Sequence, residues 1–168
     1  GGWATGNAGF SMTAWGQPAD SFPSVPLADG YDGHAVRLTT RSTGSLGRMV
    51  CMPIAAGNLF YGTFDVRSAM QDALAATRFG HPFDRRPIAF TGYYTYRPAT
   101  PTTDRDGHVL PDARDSAAIY AILYRNRDAN GHPVTLDGTN VSTSPQIVAK
   151  ADMGFVRPTD AWMPFRLT

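Results

Sequence analysis

Apolar and polar residues alternate with a period of two in seven short runs, a spacing that predicts strands with one face turned inward. The runs are HAVRLTT (34–40), GRMVCMP (47–53), NLFYGTFDV (58–66), PIAFTGYYTYR (87–97), AAIYAILYR (117–125), PQIVAK (145–150) and WMPFRL (162–167). Gly, Pro, Asp and Asn punctuate them, residues that supply the dihedrals of turns. The stretches 21–33, 97–115 and 127–140 read as loops or hairpin connections. One segment has helical character: SAMQDALAAT (68–77), where Ser68 as N-cap and Gln71 three residues on have capping-box spacing. The pattern predicts an all-β protein, an antiparallel two-sheet β-sandwich (jelly roll) with at most one short helix near 68–77. It also predicts a single domain over 1–168.

Composition strengthens the strand reading. All fourteen acids are Asp, and fourteen of the fifteen bases are Arg, with Lys150 alone. Asp favours turns and caps, while the missing Glu and Lys are the residues of exposed helix faces. Absence of Glu also removes the commonest glycosidase acid. A net charge of +1 with no basic run gives no nucleic-acid footprint. No stretch approaches the roughly 18 apolar residues of a membrane span. Cys51 is single, so no internal disulfide forms, and its apolar neighbours predict a buried, inert thiol. Gly1-Gly2 opens the chain where a removed leader is expected to have stood.

The densest chemistry lies between Arg78 and Pro98, which holds four arginines, three prolines, three phenylalanines and three tyrosines. Strand alternation puts Ile88, Phe90, Gly92, Tyr94 and Tyr96 on one face, with Ala89, Thr91, Tyr93, Thr95 and Arg97 on the other. In the later run, Ala118, Tyr120, Ile122 and Tyr124 share a face. A tyrosine on such a face either packs in the core with its hydroxyl paired, or stacks under a sugar ring while the hydroxyl binds it. Gly92 removes a side chain where something must come close. The arginines stack on rings or pair with carboxylates such as Asp84 beside Arg85 and Arg86.

All four histidines follow a glycine, three of them in Asp32-Gly33-His34, Asp106-Gly107-His108 and Asn130-Gly131-His132. Turn chemistry explains that spacing, so no metal site is expected. Asp104 to Gly107 and Asp128 to Gly131 look like the first half of a calcium loop without its closing acid, which leaves room for a structural calcium ion and no other cofactor. Asp65, Asp84 and Asp115 are the candidate carboxylates for glycoside hydrolysis, which needs a facing pair. No nucleotide loop and no nucleophile elbow is present.

Several stretches, in one order, resemble the Putative carbohydrate metabolism domain family of secreted Bacteroidetes proteins. They are Trp3-Ala4-Thr5-Gly6-Asn7, Gly33 to Leu38, Ala56 to Gly62, Phe79-Gly80-His81-Pro82-Phe83 with Arg86-Pro87, Gly92 to Tyr96, and Asp115 to Tyr124. The resemblance covers nearly the whole chain. It implies a jelly roll similar to carbohydrate-binding modules, galactose-binding-like in type, with a sugar pocket on one sheet. Two departures stand out: Thr95 occupies a place usually basic, and the chain stops at Thr168 where the family continues into a last strand.

The resulting expectation is a non-catalytic glycan-recognition domain of an extracellular, cell-surface or periplasmic protein, with an oligosaccharide or polysaccharide as partner. Trp3, Phe83, Tyr94, Tyr96 and Tyr120 would stack, and Asn7, Arg86, Asp84 and Asp115 would bind hydroxyls. Two alternatives stand beside it: a glycoside hydrolase or lyase working through Asp84 and Asp115, and a structural or adhesion module with no ligand.

Overall fold

The structure, a computed structural model, describes residues 2–49, 52–69, 71–72, 74–100, 102–104, 106 and 108–168. The chain forms two compact units. The first comprises Gly1–His81, Thr103–His108 and Thr135–Val141; the second comprises Pro82–Thr102, Val109–Val134 and Ser142–Thr168. Every described strand pairing is antiparallel. The all-β expectation is met, in a set of small sheets compatible with a sandwich and without a closed barrel.

In the first unit, strand β1 (Trp3–Ala4) leads into helix α1 (Asn7–Ser11) and a 3₁₀ turn at Ala19–Ser21. Strands β2 (Ser24–Leu27) and β3 (Ala35–Leu38) pair as a hairpin, with Ser24 opposite Leu38. Strand β4 (Arg41–Ser42) is followed by helix α2 (Gly44–Met49) and by its pairing partner β5 (Ile54–Ala55). Strand β6 (Phe60–Phe64) lies between β1 and β7 (Thr77–Phe79), and helix α3 (Val66–Ala69) joins β6 to β7. Leu136 returns to this unit as a fully buried plug, its carbonyl accepting the Phe79 N–H at 2.8 Å.

Residues of the recognised motifs stitch this unit together. The Asn7 amide donates to the Ser24 carbonyl at 2.6 Å, and its oxygen accepts the Ser24 N–H at 3.1 Å. Ser24 Oγ donates to the Asn58 carbonyl at 2.7 Å, and Asn58 Oδ1 accepts the Gly6 N–H at 2.7 Å. Three distant stretches of chain thereby satisfy one another's half-buried polar groups, which would cost free energy if left unpaired.

In the second unit, strand β8 (Phe90–Tyr96) pairs with the long strand β13 (Thr159–Leu167), Gly92 facing Phe165. Phe90, Gly92, Tyr94 and Tyr96 are half-buried while Thr91, Tyr93 and Thr95 are exposed, the alternation that the sequence predicts. Gly92 makes way for the Phe165 ring, since a Cβ there would lie 2.6 Å from a ring carbon. Strands β9 (Thr102–Thr103) and β10 (Val109–Leu110) are short; Thr103 belongs to the first unit, Thr102 and β10 to the second. Strand β11 (Tyr120–Tyr124) pairs with β12 (Ile147–Asp152), a bulge falling between Leu123 and Tyr124. Val156 and Leu167 are buried here.

Several local expectations need correction. The run 47–53 does not form one strand: residues 44–49 are helical and only Ile54–Ala55 is extended. Gly47 is buried against Thr43 and the Met52 carbonyl, with no room for a Cβ, and that close packing overrides a two-residue period too short to be decisive. Val50 and Cys51 lie outside the described residues, so the buried-thiol expectation does too. The helix expected over 68–77 lies earlier, and Asp65 caps it: Asp65 Oδ1 accepts the Arg67 N–H at 3.0 Å, and Ser68 Oγ donates to Oδ2 at 2.8 Å. Asp caps a helix as well as Ser does, and here the Ser68 hydroxyl is itself bonded to the Asp65 carboxylate. Helices α1 and α2 were not expected, because neither presents a full amphipathic turn pattern. Strand β2 lies inside a segment that Pro23 and Pro26 mark as loop, and its pairing with β3 is a long-range event that local composition does not report.

Candidate functional site

Where β8 ends, the second unit has a hollow of about 150 Å³. Three stretches wall it: Tyr96 and Pro98 from the end of β8, Arg114 to Ala117 ahead of β11, and Gly154 to Val156 with Pro158 from the turn between β12 and β13. That turn depends on Gly154, whose φ of +65° few side chains adopt and whose N–H donates to Asp152 Oδ1 at 2.9 Å. It carries Phe155 to the rim, 74% exposed.

Most of the wall is apolar, which makes its few polar groups informative. The Tyr96 hydroxyl is out of contact with solvent and makes no hydrogen bond among the described residues. Burial pushes its pKa above the ordinary value of 10.0, and the neighbouring Asp115 carboxylate pushes it further. The phenol is therefore neutral at physiological pH and has a proton to donate. Asp115, half-buried, accepts the Ala99 N–H through Oδ2 at a long 3.4 Å, leaving most of its acceptor capacity open. Neutral donor, carboxylate acceptor and exposed ring together suit a ligand with both hydroxyls and an apolar face.

Of the residues picked from sequence, the hollow contains Tyr96 and Asp115. Tyr94 shares the strand face of Tyr96, half-buried, without lining the hollow. Tyr120 lies on β11, 38% exposed, with the Lys150 ammonium 5.9 Å from its ring centroid. Phe83, Asp84 and Arg86 are exposed and are not among the described lining of the hollow, and the expected pairing of Asp84 with Arg85 or Arg86 is absent among the described residues. Exposed charges adjacent in sequence are well solvated and gain little by pairing. Trp3 and Asn7 belong to the first unit. Trp3 stands edge-on to Tyr61, centroids 5.3 Å apart, and Tyr61 tilts against His81 at 4.5 Å. Both hydrogen-bonding ends of the Asn7 amide are used by Ser24. Sequence reasoning missed Phe155; its only signal was the Asp152-Met153-Gly154-Phe155 turn pattern.

Two of the three Asx-Gly-His stretches share one hydrogen-bond pattern. Asp104 Oδ1 accepts the N–H groups of Asp106 and His108 at 2.9 Å, with Nδ1 of His108 3.1 Å from Oδ2. Asp128 Oδ1 does the same for Asn130 and His132, at 2.8 and 2.9 Å, with Nδ1 of His132 3.2 Å from Oδ2. Backbone donation holds both aspartates below the ordinary carboxylate value of 3.8, with the histidine N–H the largest influence in each. Asp104, Asp106 and His108 each offer a ligand atom, all within 4.8 Å of one another. The second stretch makes the same bonds with Asn130 in place of Asp106, so turn chemistry alone suffices to form them.

An antiparallel β domain with a hollow built from phenol, carboxylate and exposed ring has the make-up of a carbohydrate-handling protein. The chain belongs to the "Putative carbohydrate metabolism domain" family, whose profile matches residues 1–168. It is similar to a crystal structure from Bacteroides thetaiotaomicron described as a putative glycoside hydrolase, with 44% identity and a TM-score of 0.91 over 98% of this chain and 47% of that one. A second, from Bacteroides vulgatus and described in the same words, is 40% identical with a TM-score of 0.87, over 98% of this chain and 64% of that one. The chain thus spans less than two thirds of each of these relatives. No curated protein matches it.

Proposed function

We propose that this domain recognises carbohydrate without cleaving it, holding one sugar ring in the hollow between Tyr96, Asp115 and Phe155. The observation that carries the reading is the buried Tyr96 hydroxyl, without a partner among the described residues, beside the Asp115 carboxylate. A buried hydroxyl left unpaired costs about 1–3 kcal/mol, which a ligand hydroxyl entering the hollow offsets. Asp115 accepts from a second hydroxyl, and Phe155 stacks on the C–H face of the ring. The family's name supports a carbohydrate ligand.

The two relatives, each described as a putative glycoside hydrolase, favour a second reading, glycoside hydrolysis. Hydrolysis needs two carboxyl groups across one cleft, and Asp115 is the single acidic residue lining this hollow. A binding domain within a longer enzyme accommodates both facts, and an exported protein acting on polysaccharide is the setting that fits. The test is a glycan array on the intact domain, followed by calorimetric titration of Tyr96→Phe and Asp115→Asn with the best hit. Loss of affinity in both variants, with no reducing sugar released, is expected. Absence of binding by the intact domain overturns the proposal, and release of product abolished by Asp115→Asn replaces it with hydrolysis.

A further inference from the structure

The first unit has its own hollow, of about 290 Å³, between α1 with the turn that follows it and β4 with the start of α2. Phe10 closes one side. Among the described residues, Arg41 is the one charged side chain lining it, and no carboxylate does. Arg41 is half-buried; its Nε is out of contact with solvent and has no hydrogen-bond partner among the described residues. A buried cationic donor without an acceptor is costly, more so than a neutral one. The cost disappears if something negative occupies the hollow.

The remaining polar groups specify more than charge. Thr13 Oγ1 already donates to the Phe10 carbonyl at 2.9 Å, and Ser21 Oγ to the Pro18 carbonyl at 2.7 Å. Each hydroxyl has one proton, so toward a ligand both can only accept. Ser42 Oγ accepts the Gly44 N–H at 3.2 Å and keeps its own proton to give. The Gln17 side chain offers both roles. The hollow therefore presents a guanidinium fork and a hydroxyl donor on the side of β4, and hydroxyl acceptors on the side of the α1 turn. An occupant that satisfies both sides needs an oxyanion and hydroxyl groups of its own.

We infer that this hollow is a second binding site, for a sugar acid, with the carboxylate of a uronic acid on Arg41 and the ring hydroxyls on Thr13 and Ser21. The planar edge formed by Nε and one terminal nitrogen of an arginine matches a carboxylate through two parallel hydrogen bonds. The volume exceeds what a bare inorganic anion fills, which leaves space for the ring. This inference does not rest on the Tyr96 hollow, and its test keeps the two apart.

Galacturonate and glucuronate are titrated against galactose and glucose at fixed ionic strength, with binding followed by NMR shifts. The uronates are expected to bind at least about tenfold more tightly than the neutral sugars, the increment of a charge-assisted pair over none. Arg41→Lys keeps the charge but loses the fork, and it should abolish most of that preference; Tyr96→Phe, outside this hollow, should leave the uronate affinity itself unchanged. Gln17→Ala, at an exposed position, should weaken uronate binding a fewfold and serves where the Arg41 variant does not fold. Equal affinity for acidic and neutral sugars overturns the inference, as does a preference that survives Arg41→Lys. Inorganic sulfate binding as tightly as the uronates overturns the sugar-acid assignment.

Discussion

Replacing Tyr96 by Phe removes one oxygen and nothing else, and the structure gives opposite signs for its effects on stability and on binding. A hydroxyl bonded within the fold would be missed: the variant would lose about 1–1.5 kcal/mol, or roughly 2–6 °C in Tm for a chain of this size. The Tyr96 hydroxyl has no such bond among the described residues. Its removal should therefore be neutral or should stabilise by up to about 1 kcal/mol, with Tm unchanged or a few degrees higher. Sugar affinity should move the other way. One hydrogen bond in a partly dehydrated site is worth about 1–1.5 kcal/mol, so Kd should rise about tenfold. Alkaline behaviour adds an independent sign. The phenol's pKa is raised in the folded state, chiefly by burial. Its contribution is thus fully present below the unfolded value of 10.0 and is lost as pH climbs through the folded one. Tyr96→Phe should flatten the fall in stability above about pH 10. Scanning calorimetry across pH and titration of the glycan ligand measure all three. A variant that is destabilised by more than about 1 kcal/mol while binding sugar normally would refute the reasoning, since the hydroxyl would then belong to the core.

Asn7→Ala should cost about 2–3 kcal/mol of stability in a urea melt, because it strands the Ser24 N–H and carbonyl in a half-buried position, and it should leave glycan affinity unchanged. Gly92→Ala should cost about 1–3 kcal/mol as Phe165 is driven from its place, measured the same way; a neutral result would mean that the ring moves freely. Asp128→Asn tests the acid limb: the folded carboxylate titrates below 3.8, so its contribution is complete above that value and disappears as pH falls through the folded one. Urea midpoints between about pH 6 and 2 should fall less steeply in the variant than in the parent.

How far these features were legible in the sequence depends on the range of the interactions behind them. The inward face of β8 was legible because Phe90, Gly92, Tyr94 and Tyr96 repeat every second residue, and a strand converts that period directly into burial. The turns at Asp104 and Asp128 were legible because Asx-Gly steps act within a few residues. Strand β2 and helix α2 were not, because pairing with β3 and the packing of Gly47 on Thr43 are settled by distant or tertiary partners. For the candidate site, the sequence named Tyr96 and Asp115, which line the hollow, together with residues that the fold places elsewhere. Trp3, Tyr94 and Tyr120 look alike in a sequence, yet one stands edge-on to Tyr61, one packs along a sheet face and one lies near an ammonium group.

Aromatic content is a weak guide here for a physical reason. A ring gains as much from packing against another ring as from stacking on a sugar, so its presence does not say which it does. A buried hydrogen-bonding group is less ambiguous, because leaving it unpaired has a cost that the fold must offset elsewhere. Three such groups occur among the described residues, at Arg41, Tyr96 and Thr102. Thr102 lines neither hollow, while Arg41 and Tyr96 each line one. Satisfaction of a donor is decided by whichever segments fold around it, here the Gly154 turn near Tyr96 and the α1 turn near Arg41. Chemistry of this kind is created by tertiary structure, and it differs between the two hollows: one is lined by a neutral donor with both a carboxylate, Asp115, and a cation, Arg114, while the described lining of the other has the cation Arg41 without a counter-charge. Two ligands with opposite electrostatic requirements, a neutral sugar and an acidic one, should therefore be separable on a single chain by Tyr96→Phe and Arg41→Lys.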